Sequence, residues 1–237
     1  YRDSLPAYAS TVTYSSIEEF LDIADQALAL GYPAIKLHAF GDAKKVALLG
    51  EKLRAHVGDD VPLMYDGSAG FDLMDAVYLG NALYDSGFAW YEEPMREFSI
   101  TAYKWLGERV RIPLLLGEVT DGAHMSAGDF AAIGVATSLR TSTFLRGGFT
   151  GAMRIAHLAD AYHLRAEVHG MGLESAHLCM AIKNTTYYES LVWGNPIKRE
   201  ALVDAQGNVH GPKGPGVGYE SIWAESGTPK GLEKFVK

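Results

Sequence analysis

Residues 89–118 read AWYEEPMREFSITAYKWLGERVRIPLLLGE. An aromatic and apolar run, 89–92, closes on Glu92; a stretch of helical period follows; a second apolar run, 114–118, closes on Glu118. Strand, helix and strand in this order make one βα unit of a parallel sheet, with a carboxylate at the end of each strand.

The same unit recurs in both directions. Ser16 and Glu19 form an S-x-x-E capping box, Ile17, Phe20, Leu21, Ala24 and Leu28 form one apolar stripe, and Gly31 and Pro33 mark the stop, so a first helix is bounded at both ends. Strands are expected at 5–9, 34–38, 62–66, 89–92, 114–118, 138–144, 166–169 and 187–192, with helical patterns between them. Eight such strands in this length fit a closed (β/α) barrel better than a doubly wound open sheet, and no G-x-G-x-x-G or G-x-x-x-x-G-K phosphate turn occurs. From residue 195 the sequence NPIKREALVDAQGNVHGPKGPGVGYE is rich in Gly, Pro and polar residues. It reads as an extended C-terminal tail (195–237) on a barrel formed by 1–194, packed on that barrel or on a further domain.

Composition narrows the function. The 237 residues are 48 % hydrophobic and 21 % charged with a formal charge of −8, which supports one sizeable core and disfavours nucleic acid or an anionic membrane as partner. No apolar run reaches the roughly 20 residues of a membrane span, and the N-terminal residues lack the pattern of a signal peptide. A single cysteine, Cys179, sits in the apolar run HLCMAI and reads as a core residue, so a reducing cytoplasm is the expected location.

Barrel enzymes carry their chemistry at the C-terminal ends of the strands. Here those ends bear Lys36 and His38 (AIKLH), Asp66 (MYDGS), Glu92 (WYEEP), Glu118 (LLLGE) and His169 (AEVHG), with Glu189 (YYES) inside the eighth strand. Asp66, Glu92 and Glu118 are spaced by 26 and 26 residues, one βα unit each, which gathers three carboxylates on one rim. Their mutual repulsion is relieved by a hard divalent cation, and Mg²⁺ is the natural one. Lys36 and His38, two apart, face the same way into the barrel mouth, whereas Glu92 and Glu93 face oppositely, so only one of that pair is a ligand. His38 is a candidate base, and His169 stands across the barrel from it as a second proton-handling group.

Taken together, AIKLH, MYDGS, WYEEP, LLLGE, FLRGGFTG, EVHGMGLESAHL and YYES resemble, in order and spacing, the enolase superfamily, and within it the mandelate racemase and acid-sugar dehydratase branch. The resemblance covers about residues 5–220. It implies a (β/α)7β barrel, one Mg²⁺ per active site on Asp66, Glu92 and Glu118, and removal of the proton α to a substrate carboxylate with stabilisation of the enolate. It further implies a homo-oligomer, a carboxylate hydrogen-bonding role for Glu189 and a substrate contact near Ser68. Three departures stand out. Lys36-Leu-His38 replaces the branch's Lys-x-Lys, which makes the base an imidazole. Residues 140–148, RTSTFLRGG, offer Arg140, Thr141, Ser142 and Thr143 but no carboxylate to orient His169. The family's N-terminal α+β capping domain is absent from these residues. The polar rim, including Ser142 and Thr143, favours a polyhydroxylated small-molecule carboxylate. Dehydration of a sugar acid to a 2-keto-3-deoxy acid is the leading expectation, with Lys36, His38, His169 and Glu189 as catalytic residues and Lys36, Ser68, Ser142 and Glu189 contacting substrate. A racemase or epimerase, and a metal-binding barrel without activity, are the alternatives.

Overall fold

The computed structural model describes residues 1–96, 99–118, 122, 124–214 and 216–218. Eight parallel strands alternate with seven helices among them: β1 (Ser4–Thr11), α1 (Ile17–Ala29), β2 (Ala34–His38), α2 (Ala43–Val57), β3 (Leu63–Asp66), α3 (Leu73–Asp85), β4 (Trp90–Glu92), α4 (Ile100–Gly107), β5 (Leu114–Leu116), α5 (His124–Ala132), β6 (Ser138–Thr141), α6 (Gly148–Ala161), β7 (Arg165–Val168), α7 (Leu173–Ala181) and β8 (Tyr188–Val192). The sheet runs β7-β6-β5-β4-β3-β2-β1-β8 and curls on itself as a barrel. Between its outer strands, β7 and β8, Ala166 N donates to Asn184 O (2.9 Å) and Gly170 N to the Glu189 carboxylate (2.7 Å), tying the two edges together. Among the described residues no helix is long and apolar enough to cross a membrane.

The first four helices start where the sequence provides a side-chain cap. Ser16 Oγ accepts from Glu19 N (3.1 Å), Asp42 from Lys44 N and Lys45 N, Asp72 from Asp75 N, and Ser99 from Ala102 N. The Glu19 carboxylate completes this corner through Ser15 N and Oγ rather than through Ser16. Two strands end earlier than their apolar runs. The sixth stops at Thr141 because Ser142 Oγ accepts from Phe144 N and Leu145 N and turns the chain. The fifth stops at Leu116, and Glu118 stands on a loop beyond it, because Gly117 is left-handed (φ 100°) and the Glu93 carboxylate draws Gly117 N (2.5 Å) and Glu118 N (3.0 Å) out of the ladder.

The pleat sorts the barrel interior into layers. Tyr8, Ala34, Met64, Trp90 and Leu115 pack together as an apolar plug, and two residues further along four of the strands lie Ser10, Lys36, Asp66 and Glu92. The outward faces pack on the helices as the main hydrophobic core. The functional layer is therefore a polar ring resting on an apolar floor.

Past β8 the chain does not float free. Strand β9 (Asn208–His210) pairs antiparallel with the start of β1, Leu5 opposite Val209, and Ala7 N donates to Gly207 O (2.8 Å). Gly207 lies so close to the turn after α1 that a Cβ on it would sit 2.1 Å from Gly31 O, at a φ of 77°. Gly207→Ala is expected to lower stability by about 1–3 kcal/mol in chemical denaturation, whereas Gly41→Ala, where nothing lies within 4 Å, should leave it nearly unchanged. Residues 219–237 of the expected tail lie outside the described residues.

Candidate active site

Strand parity brings the ionisable groups of β2, β3, β4, β6 and β8 into one cluster above the apolar floor. Lys36 Nζ lies 3.2 Å from Asp66 Oδ2, 2.9 Å from Glu92 Oε2 and 2.6 Å from Glu189 Oε1. Arg140 completes the ring from β6: its Nε lies 2.6 Å from Glu92 Oε1 and 3.5 Å from Glu118 Oε2, and its Nη2 lies 2.9 Å from Glu189 Oε2 and donates to Tyr8 OH (3.0 Å). Burial disfavours the charge on both cations, but the surrounding carboxylates outweigh it and hold both Lys36 and Arg140 well above their ordinary pKa values. Both are permanent charges at neutral pH.

The carboxylates respond according to their neighbours. Burial pushes Asp66 up, yet Lys36, His38 and the Ser68 N–H (2.8 Å) overcome it and hold the group below the usual carboxylate range. Glu189 follows the same pattern, held well below it by Arg140 and Lys36 against the cost of burial, and it also accepts from Ser10 Oγ (3.0 Å) and Gly170 N (2.7 Å). Glu118 goes the other way. Burial first and the Glu92 charge second raise it to about 9, and its buried Oε2 has no hydrogen-bond partner among the described residues.

Two imidazoles flank the ring. The carbonyl of Thr11 lies 2.6 Å from His38 Nδ1, which accordingly donates and leaves Nε2 facing Asp66 Oδ2 at 2.9 Å. Across the barrel His169 Nε2 lies 3.4 Å from Glu118 Oε1, while its buried Nδ1 has no hydrogen-bond partner among the described residues. Burial, then the Arg140 charge, lowers the His169 pKa.

A divalent cation fits this geometry. Asp66, Glu92 and Glu118 each offer one oxygen, all within 4.8 Å of one another. Four clustered carboxylates face two permanent cations, so two negative charges are left over when all are ionised, and this surplus adds to burial in raising Glu118. Hard oxygen donors alone, with unsatisfied lone pairs, suit Mg²⁺. Binding must displace the Glu118 proton, so Mg²⁺ affinity is expected to climb about tenfold per pH unit below pH 9, with close to one proton released per ion at pH 7. Calorimetry in buffers of different ionisation enthalpy measures that proton directly.

The six strand-end residues expected from sequence thus meet in one place with Glu189 of β8. Ser68 touches Asp66 Oδ1 through its N–H, at a left-handed φ of 47°, and so orients that carboxylate. Ser142 is buried with its Oγ occupied by its own turn, a geometry that supports a turn-forming role in place of the expected substrate contact. Arg140 carries more of the site than its sequence position suggested. Ser138 pairs with Leu115 of the apolar plug, and Arg140, two residues further along β6, shares that inward parity, which is the signal that would have placed it inside.

The chain is similar to several known proteins. D-galactarolactone cycloisomerase of Agrobacterium fabrum is 27 % identical over 244 residues, with 93 % of this chain and 64 % of that protein covered. D-gluconate dehydratase of Thermoproteus tenax is 25 % identical, covering 84 % of this chain and 44 % of that protein. Among solved structures, D-glucarate dehydratase from Agrobacterium tumefaciens complexed with magnesium superposes with a TM-score of 0.85 at 32 % identity, covering 92 % of this chain and 63 % of that one. The chain thus spans less than two thirds of the length of each of these relatives. The sequence profile of the enolase C-terminal domain-like family matches residues 19–224, and the chain belongs to that family.

Proposed function

We propose that this protein is a Mg²⁺-dependent hydro-lyase that removes the α-proton of a sugar acid and expels the β-hydroxyl, giving a 2-keto-3-deoxy acid. The observation that carries the reading is one ring holding three carboxylates within 4.8 Å of one another, flanked by an imidazole on each side. Relatives named D-gluconate dehydratase and D-glucarate dehydratase support the substrate class. Asp66, Glu92 and Glu118 would hold the cation. Its chemistry, when bound, is concentrated positive charge beside a carboxylate that gains negative charge as the α-proton leaves.

The chain's own groups do the rest. His38, fixed by Thr11 with Nε2 turned to the site, takes the α-proton. His169 delivers a proton to the departing β-hydroxyl, which leaves as water, and the enol product tautomerises to the ketone. The lowered pKa of His169 makes its imidazolium the stronger acid while leaving the neutral ring as the more populated form near pH 7. Lys36, kept charged among three carboxylates, is an electrostatic partner of the cluster rather than a base. Glu189 already accepts from four donors, which favours a counter-ion role over donation of a hydrogen bond to substrate. Residues 1–194 form the catalytic unit in this reading, with 195–237 as its extension.

Two imidazoles on opposite sides of one ring also favour a second reading, an epimerase in which the far imidazole returns the proton. Incubation with Mg²⁺ and a panel of acid sugars in D₂O, followed by NMR, separates them. Loss of the α-proton with a new methylene signal supports the dehydratase; exchange or inversion without elimination supports the epimerase. Silence across uronic, aldonic and aldaric acids would sink both.

A further inference from the structure

Arg140, like Lys36 and Glu189, stands in the ring without a metal-binding or proton-transfer role, and it is the one of these three that touches two of the metal-ligand carboxylates from β6. It is buried in the barrel interior, and its guanidinium spans three carboxylates: Glu92 and Glu118, two of the residues assigned to the cation, and Glu189. Its remaining contacts, Tyr8 OH and Val168 O (3.3 Å), leave it no open face for a substrate. Lys36 meanwhile engages the other Glu92 oxygen. Both oxygens of Glu92 are therefore in contact with a fixed positive charge before any ion arrives.

We propose that Arg140 is a resident counter-cation of the metal site: it holds Glu92 and Glu189 together in the barrel without Mg²⁺ and, by supplying part of the ion's charge, weakens Mg²⁺ binding. The proposal rests on the metal assignment above and goes beyond it, because it fixes the sign of an effect. A fixed unit charge in contact with two ligands raises the potential at the site, which opposes a divalent ion. The same charge relieves the repulsion among four carboxylates when the ion is gone. A residue that merely oriented Glu92 for the metal would act in the opposite direction, since its loss would weaken binding.

The test compares wild type, Arg140→Met and the double variant Arg140→Met/Glu189→Gln, which removes one charge of each sign. Mg²⁺ affinity is read by calorimetry, and thermal midpoints are read in EDTA and in saturating Mg²⁺. Arg140→Met is expected to bind Mg²⁺ at least about tenfold more tightly, to melt earlier in EDTA and to gain more from Mg²⁺ than wild type does. The double variant should return affinity toward the wild-type value. Unchanged or weaker binding by Arg140→Met overturns the proposal. If that variant fails to fold even with Mg²⁺, the double variant decides: a folded protein with near wild-type affinity supports charge balance, and an unfolded one overturns it in favour of packing. A wild type that takes up no Mg²⁺ at millimolar concentration overturns the metal assignment as well, which distinguishes the two failures.

Discussion

Glu92→Gln is expected to lose nearly all Mg²⁺ affinity and at least about a thousandfold in turnover, while the protein in EDTA loses about 3–5 kcal/mol of stability. The two losses have different origins. Glu92 is fully buried at the centre of the ring, with Lys36 on one oxygen and Arg140 on the other. Glutamine keeps the shape but removes the charge that both cations face, and its amide N–H₂ points a donor at one of them. Two buried cations then share Asp66, Glu118 and Glu189, and a hard divalent ion finds two anionic oxygens where it found three. Glu93→Gln is the control. Its side chain faces away from the ring, and a glutamine oxygen still accepts from Gly117 N and Glu118 N, so Mg²⁺ affinity should stay within a few fold of wild type. Glu93→Ala, in contrast, frees the loop that carries Glu118 and should weaken the ion's hold. Calorimetric titration reads all three, and a Glu92→Gln protein that binds Mg²⁺ normally would remove Glu92 from the ligand set.

How these residues reach one ring was largely legible in the sequence, because a barrel translates a repeat into a circle. Each expected strand has an observed counterpart, and the spacing of 26 residues put Asp66, Glu92 and Glu118 on successive units. What stayed hidden was set by contacts between residues far apart in the chain. The apolar run of the fifth strand continues to Glu118, and nothing local announces that Glu93, just past the end of β4, draws away the N–H groups of Gly117 and Glu118. Ser142 looked like a rim residue because a serine that turns its own chain and a serine that meets a ligand share the same surroundings in sequence. Arg140 was passed over for a different reason. The resemblance implies a carboxylate at that strand, and the cation that stands there instead is defined by its partners on β4 and β8. The close approach of Gly31 and Gly207 joins the first βα turn to the C-terminal segment, a pairing no local pattern encodes.

His38→Asn is expected to cut α-proton exchange by about 10²–10⁴-fold and to leave Mg²⁺ affinity and thermal midpoint close to wild type. The argument begins with which group is able to take a proton. Lys36 is 1 % exposed and held charged by Asp66, Glu92 and Glu189, so it has no vacant lone pair to offer. His38, with 26 % of its side chain exposed, reaches the mouth of the barrel. Its Nδ1 hydrogen bond to the Thr11 carbonyl fixes the ring with Nε2 toward the site, where Nε2 donates to Asp66 (2.9 Å) and becomes basic once that carboxylate engages a cation. Asparagine keeps an N–H that can meet Thr11 but ends short of the position of Nε2, so the local fold survives while the base does not. The same exchange experiment on His169→Asn separates the two imidazoles. If His38 removes the α-proton and His169 assists departure of the hydroxyl, His169→Asn retains exchange of the α-proton into deuterium while its elimination product fails to accumulate. The reverse pattern, exchange lost with His169 and kept without His38, would transfer the base to the seventh strand. In that case an imidazole whose Nδ1 has no described partner would be performing the more demanding proton transfer, and the Thr11 hydrogen bond to His38 would be left without a catalytic reason.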